Sequence, residues 1–225
     1  MANFWIVFAF LIVLVVWLDR KYCMLRDITT VKTRQSYSWS RVQLAWWTVI
    51  VLSSFITIFF SKGVAPTLHM STVILLGISS ATTVTAAAID LSDQQHQEIY
   101  RHQNDFGKNF FLDILSDQSG VSMNRLQTLA FNTVFGIWFI SVVLNNMHVD
   151  CSAYINLTDK IVPAACQANP IDYVMPDISN NNLILLGLSS ATYAALKTTE
   201  NKSANLPKDN TKPAESMAVT GNSAG

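Results

Sequence analysis

Leu75 to Thr82 reads LLGISSAT, and Leu185 to Thr192 reads LLGLSSAT, the same run returning 110 positions later. Each copy follows a proline by nine residues, Pro66 and Pro176. A long-period match of this kind is the signature of a duplicated supersecondary unit. A second pair of signatures extends the match: Ser38, Arg41 and Gln43 in the pattern S-x-x-R-x-Q are answered by Ser122, Arg125 and Gln127. The signatures lie 84 residues apart and the LLG runs 110, so the second unit carries 26 extra residues between its two apolar runs, near Asn146 to Asp177. Asp90 and Glu200, also 110 apart, put an acid just past the second apolar run of each unit. Two tandem units are therefore expected, 38–90 and 122–200.

Half of the residues are hydrophobic and 13% are charged, with the charges gathered between long uncharged stretches. Phe4 to Leu18, Val42 to Phe60, Ser71 to Ile89, Leu126 to Leu144 and Ile178 to Leu196 contain no Asp, Glu, Lys or Arg. Most approach the ~20 residues that a bilayer helix needs. The expected fold is an all-α membrane protein with five transmembrane helices: an N-terminal anchor followed by two parallel helical hairpins. Residues 1–37 form the anchor and a basic linker, 91–121 a loop between the units, and 201–225 a polar tail read as disordered. The first apolar run has no basic residue before it and Asp19, Arg20 and Lys21 after it, which favours a retained anchor over a cleaved signal. Segments 19–41, 90–125 and 197–225 hold 13 of the 15 Lys and Arg, so they are expected in the cytoplasm, with the N-terminus outside and the C-terminus inside.

Cys151 and Cys166 share the extra loop on the outer side and are candidates for a disulfide. Such a closure would stabilise the loop by about 3 kcal/mol in the chain-entropy model. Gly77, Ala81 and Thr85 recur every four residues in the third span, with Gly187, Ala191 and Ala195 at the same places in the fifth. Small residues at this spacing let membrane helices approach closely, so this ridge is read as the face on which spans three and five meet. Ser79, Thr82, Thr83, Ser189 and Thr192 lie beside it as a candidate pore lining, against the reading that each hydroxyl bonds a carbonyl one turn earlier. Asn132, Ser53, Ser54 and Thr57 are the deepest other polar groups and are expected in interhelical hydrogen bonds.

Arg41 and Arg125 stand in the first turn of their spans, and Asp90 and Glu200 at helix ends, each running against the helix dipole. Ion pairing of Arg41 with Asp90 and Arg125 with Glu200, directly or crosswise, would compensate; contact with lipid headgroups is the rival reading. Ser38 and Ser122 are expected as N-caps. Phe106, Phe110, Phe111, Ile114 and Leu115 recur at helical spacing and predict a short amphipathic helix ended by Gly120, lying at the inner interface or docking a cytoplasmic partner.

Chemistry is sparse. His69, His96, His102 and His148 are scattered without metal-ligand spacing, and the chain has no catalytic triad pattern, phosphate loop or CxxC. Neither a catalytic site, a metal, a cofactor nor a nucleic-acid partner is expected. The paired S-x-x-R-x-Q and LLG[I/L]SSAT signatures, with FLDILSD at 111–117 and GVS at 120–122, resemble a loosely defined group of uncharacterised bacterial inner-membrane proteins over residues 36–200. That resemblance implies a bacterial plasma membrane and carries no activity or site residue. Two functional expectations remain: a membrane scaffold or anchor subunit, homo-oligomeric or holding a cytoplasmic partner, and an oligomeric ion or small-solute channel.

Overall fold

A computed structural model describes residues 2–27, 35–63, 65–95, 100–101, 109–117, 120–147, 174–198 and 202–203. Among the described residues six helices carry the architecture: α1 (Ala2–Tyr22), α2 (Trp39–Lys62), α3 (Met70–Gln95), α4 (Phe110–Leu115), α5 (Met123–Met147) and α6 (Asn180–Lys197). Four of them, α1, α2, α3 and α5, are long and apolar enough to cross a membrane. The fifth expected span coincides with α6, which has 18 residues but opens on three asparagines and closes on Lys197. Those polar ends dilute its hydropathy and separate it from the other four. The long helix α2 stops at Gly63, whose φ of 71° is left-handed backbone; its N–H donates to the Phe59 carbonyl at 2.9 Å. Glycine tolerates that conformation without Cβ strain, so it terminates the helix cleanly.

Helix α3 makes its most extensive contact with α6, α2 lies against α1, α3 and α5, and α5 also touches α6. The shared core contains Phe4 of α1, Trp47 and Ile50 of α2, Leu75 of α3, Phe139 of α5 and Leu186 of α6. Spans three and five of the sequence reading thus do meet, but not through the expected ridge. Gly77, Ala81, Thr85, Ala191 and Ala195 are exposed, and an added Cβ on Gly77 would meet nothing within 4 Å. Of that set Gly187 alone is half-buried, and a Cβ added there would stand 3.4 Å from the Ile78 side chain. The buried stripe of α3 runs instead through Thr72, Leu75, Ser79, Thr82, Ala86 and Asp90, and that of α6 through Leu183, Leu186, Ser190, Tyr193 and Lys197. Both follow the three-and-four spacing of a helix face. The small-residue ridge lies two residues out of phase with the α3 stripe, which turns it to the opposite side of that helix.

Close approach occurs elsewhere, between α2 and α5. A Cβ on Gly136 would stand 2.6 Å from the Trp46 indole nitrogen. That indole N–H donates to the Asn132 carbonyl at 3.1 Å, and the Trp47 indole donates to Asn132 Oδ1 at 2.7 Å. Asn132 completes the set by donating to the Thr128 carbonyl at 2.8 Å. The interhelical bond expected of Asn132 is present. Ser53, Ser54 and Thr57 depart from expectation, each donating to a carbonyl of α2 four residues back.

Short elements fill the loops. Strand β1 (Tyr100–Arg101) pairs antiparallel with β4 (Lys202–Ser203), and β2 (Ser116–Asp117) with β3 (Gly120–Val121). The former corrects the reading of a tail unstructured from Asn201, since Lys202 and Ser203 form a strand. The latter corrects the amphipathic helix: α4 ends at Leu115, and Gly120, at φ 109°, belongs to the β2–β3 pair that leads into α5. Residues 106–108, the Cys151–Cys166 loop, Glu200 and 204–225 lie outside the described residues.

Replacing Gly136 with alanine should therefore overpack the α2–α5 contact and lower stability by about 1–3 kcal/mol, whereas Gly77→Ala should be neutral within about 0.5 kcal/mol. Thermal unfolding of the two variants in one detergent measures the difference, and equal stability would refute the assigned interface.

Candidate functional site

The stripes of α3 and α6 end in charge, at the end of the bundle where residues 23–27 and 35–38 also lie. The Lys197 ammonium is fully buried, 3.0 Å from Asp90 Oδ1 and 3.3 Å from Asp27 Oδ1. It donates to both carboxylates, using Asp90 Oδ2 at 3.1 Å as well. Three separate parts of the chain converge there: the linker after α1, the last turns of α3 and the last residue of α6. A buried charge without partners is prohibitively costly, and a lysine facing two carboxylates is the arrangement that makes its burial tolerable.

Local structure explains how Asp27 reaches this position. The linker folds back on the start of α2 through an isolated bridge between Arg26 and Tyr37, with Asp27 N–H donating to the Ser36 carbonyl at 3.0 Å and Ser38 N–H to that of Leu25 at 2.8 Å. Asp19, in the last turn of α1, accepts the Leu25 N–H at 3.0 Å and lies 3.8 Å from the Arg26 guanidinium. Arg26 in turn stacks on the Tyr37 ring at 4.9 Å. Cys23 takes a positive φ of 54° at the turn that starts this segment. Burial pushes the Asp27 carboxyl upward, but the Lys197 charge, with hydrogen bonds from Ser38 and Lys197 and the charge of Arg41, holds it below the ordinary carboxylate value.

Of the pairings expected for the two arginines, that of Arg41 with Asp90 gives way to Lys197, and those with Glu200 lie outside the described residues. Asp90 takes Lys197 as its cation. Arg41 Nη1 donates to the Met24 carbonyl at 3.3 Å, and its charge acts on Asp27. Arg125 is buried, donates through Nη1 to the Ser116 carbonyl at 2.8 Å and lies over the Tyr193 ring at 5.6 Å; the Glu200 expected beside it is outside the described residues. Ser38 occupies the N-cap position of α2, but its hydroxyl bonds Ser40 Oγ at 3.2 Å and reaches Asp27 rather than capping.

Three of the candidate pore hydroxyls donate to backbone carbonyls. Ser79 donates to the Leu75 carbonyl at 3.1 Å and Thr82 to that of Ile78 at 2.8 Å. Thr83 divides its proton between the Ser79 carbonyl at 2.9 Å and, across to α2, the Ser40 carbonyl at 3.0 Å. Ser189 is buried and Thr192 half-buried. A polar contact that the sequence reading missed joins α2 to α6: Gln43 Nε2 donates to Ser190 Oγ at 2.9 Å, both groups being buried. At the opposite end Ser71 Oγ donates to Asp177 Oδ1 at 2.7 Å and accepts the Ile178 N–H at 3.0 Å, tying the starts of α3 and α6.

Lys197 was not a sequence candidate because it stands first after an uncharged stretch, where a lysine is ordinarily solvated. The available signal was phase, since Leu183, Leu186, Ser190 and Tyr193 project their buried face onto position 197. Among the described residues no group of three His, Cys, Asp or Glu could hold a metal ion. No family model, curated protein or solved structure matches the chain.

Lys197→Met would leave two carboxylates buried without their cation, at about 3–5 kcal/mol of stability. The triple variant Lys197→Met with Asp27→Asn and Asp90→Asn should recover part of that loss in the same unfolding measurement. Because the folded-state value of Asp27 is depressed, its contribution is present above the unfolded carboxylate value of about 3.9 and is lost as pH falls below it. A thermal midpoint followed from pH 7 down to pH 3 should drop in the parent protein and drop less in Asp27→Asn; parallel curves would remove Asp27 from the account.

Proposed function

We propose that this chain is a non-enzymatic scaffold or anchor subunit of a bacterial inner membrane, in which α6 serves as a fifth span and the two hairpins act as parallel repeats. Its N-terminus lies outside, and the end that carries Lys197, the 19–41 linker and α4 faces the cytoplasm, in keeping with the excess of Lys and Arg there. One observation carries the choice of scaffold over channel. Of the five hydroxyls that could line a conduction path, three, Ser79, Thr82 and Thr83, are committed to backbone carbonyls. Other buried polar groups fasten separate segments to one another: Gln43 to Ser190, Trp47 to Asn132, and Lys197 to Asp27 and Asp90. Buried cross-links of this kind oppose the rearrangement that gating requires.

The face that would hold a partner surrounds α4. Ile114 anchors that helix in a small core with Trp39 and Tyr193, and the Tyr37 ring meets Phe110 edge-on at 5.0 Å. Phe111, 67% exposed, and Val121 and Met123 beside the β2–β3 pair leave apolar surface at the same end. Such surface fits either the headgroup region or a partner protein.

Proteoliposomes containing the purified chain should show ion and small-solute flux no greater than empty vesicles. In native membranes, cross-linking through a cysteine introduced at Phe111 should trap a stoichiometric partner. Reproducible flux abolished by Ser79→Trp, in a variant that still folds, would overturn the scaffold reading in favour of a channel.

A further inference from the structure

A cavity of about 380 Å³ opens beside the start of α2, lined by Val15 of α1, Met24 and Leu25 of the linker, Arg41 to Val49 on one face of α2, and Thr83 of α3. Its wall is apolar despite two threonines and an arginine. Thr48 Oγ1 donates to the Leu44 carbonyl at 2.7 Å, and Thr83 Oγ1 is taken by the Ser40 and Ser79 carbonyls. Both therefore turn methyl groups to the void. Away from Arg41 the wall offers a polar solute little to bond, and water is poorly held in an apolar cavity. An apolar void of about 150 Å³ takes benzene, so this one has room for a chain of roughly a dozen carbons.

Position and charge identify which kind of chain. Val15 and Arg41 belong to two helices apolar enough to cross a membrane, α1 and α2. From Arg41 to Val49 the cavity follows α2 for roughly 12 Å at the helical rise of 1.5 Å per residue. Its mouth is thus at the helix end and its depth within the span. Arg41 stands at that mouth with its guanidinium only lightly engaged, by one bond of 3.3 Å to the Met24 carbonyl. Two other cations at this end are occupied: Arg26 by Asp19 and the Tyr37 ring, Lys21 by the rings of Trp17 and Tyr22 at 5.2 Å. Asp27, the acid that feels the Arg41 charge, already receives Lys197.

We infer that this cavity is a site for one acyl chain of an anionic phospholipid, with the lipid phosphate on the Arg41 guanidinium and the chain running along Leu44, Ala45, Thr48 and Val49. A guanidinium offers five donors in a fork that suits a phosphate oxygen pair, and a chain of this length supplies the apolar contact that a free phosphate lacks. The inference needs only the membrane placement of α1 and α2, and stands whether or not the chain is a scaffold.

Native mass spectrometry of the full chain, purified in detergent and titrated with phosphatidylglycerol or phosphatidylcholine, tests it. The parent should retain one phosphatidylglycerol with about tenfold preference over phosphatidylcholine, the scale of one charge-assisted contact. Ala45→Phe, which fills the void, should abolish the adduct; Thr48→Phe should do the same if the first variant folds poorly. Arg41→Gln should remove the preference for the anionic lipid, and Lys62→Gln, at the other end of α2, should leave it intact. An adduct that survives both filling variants would overturn the chain site. Displacement by glycerol 3-phosphate as effective as by the lipid would overturn it too, in favour of a simple anion site.

Discussion

The fully buried ammonium of Lys197 between Asp27 and Asp90 is the constraint on which the basic end of this structure depends. None of the three charges could remain buried alone, because desolvation of an isolated ion exceeds what packing returns. Together they fix three backbone positions that otherwise have little reason to meet. Asp27 draws the linker inward, the linker holds the Arg26–Tyr37 bridge, and Tyr37 in turn receives α4 through Phe110 and donates its backbone N–H to the Asp113 carboxylate at 3.4 Å. Met24 and Leu25, which close the lipid-sized cavity over α2, are placed by the same fold-back. The position of α1 against α2 thereby becomes part of the same arrangement.

Much of the architecture was legible in the charge-free stretches, because a bilayer helix must be long and uncharged whatever its neighbours are. Four helices met that description outright; α6 was harder since Asn180 to Asn182 and Lys197 give it polar ends. Facing was less legible than spanning. Gly77, Ala81 and Thr85 have the spacing of a contact ridge, yet period alone gives a direction around the helix without saying what lies there. The core took the opposite face, where Leu75, Ser79 and Thr82 offer more volume and hydroxyls that can satisfy themselves on the preceding turn. Charge pairing was misread for a related reason. Arg41 and Asp90 look like partners when counted from helix ends, but the buried stripe of α3 leads Asp90 toward α6 and hence to Lys197.

Near-identical segments also receive unequal surroundings. Gln43 is buried against Ser190, whereas Gln127 and Ser80, at the matching places of the other copy, are exposed. Ala87 stands where the second copy has Lys197. Arg41 is accessible at its cavity and Arg125 is buried beneath Ser116 and Tyr193. The two LLG segments form similar helices, and the unequal neighbours α1 and α4 give each a different burden.

The Trp46, Trp47 and Asn132 contact also bears on the order in which the molecule can assemble. Its donors lie on α2 and its acceptors on α5, 85 and 86 residues further along the chain. Within hydrocarbon an indole N–H has no water to turn to, so α2 without α5 carries two unsatisfied donors in its first half. Until α5 arrives, the most favourable places for those rings are the headgroup boundary or a temporary protein neighbour. Gly136 then admits Trp46 without a clash, so the second hairpin acts as the template that draws α2 to its final depth. Maturation of this bundle is on that account a late, concerted event, governed by a contact between distant segments and not by the insertion of each helix in turn.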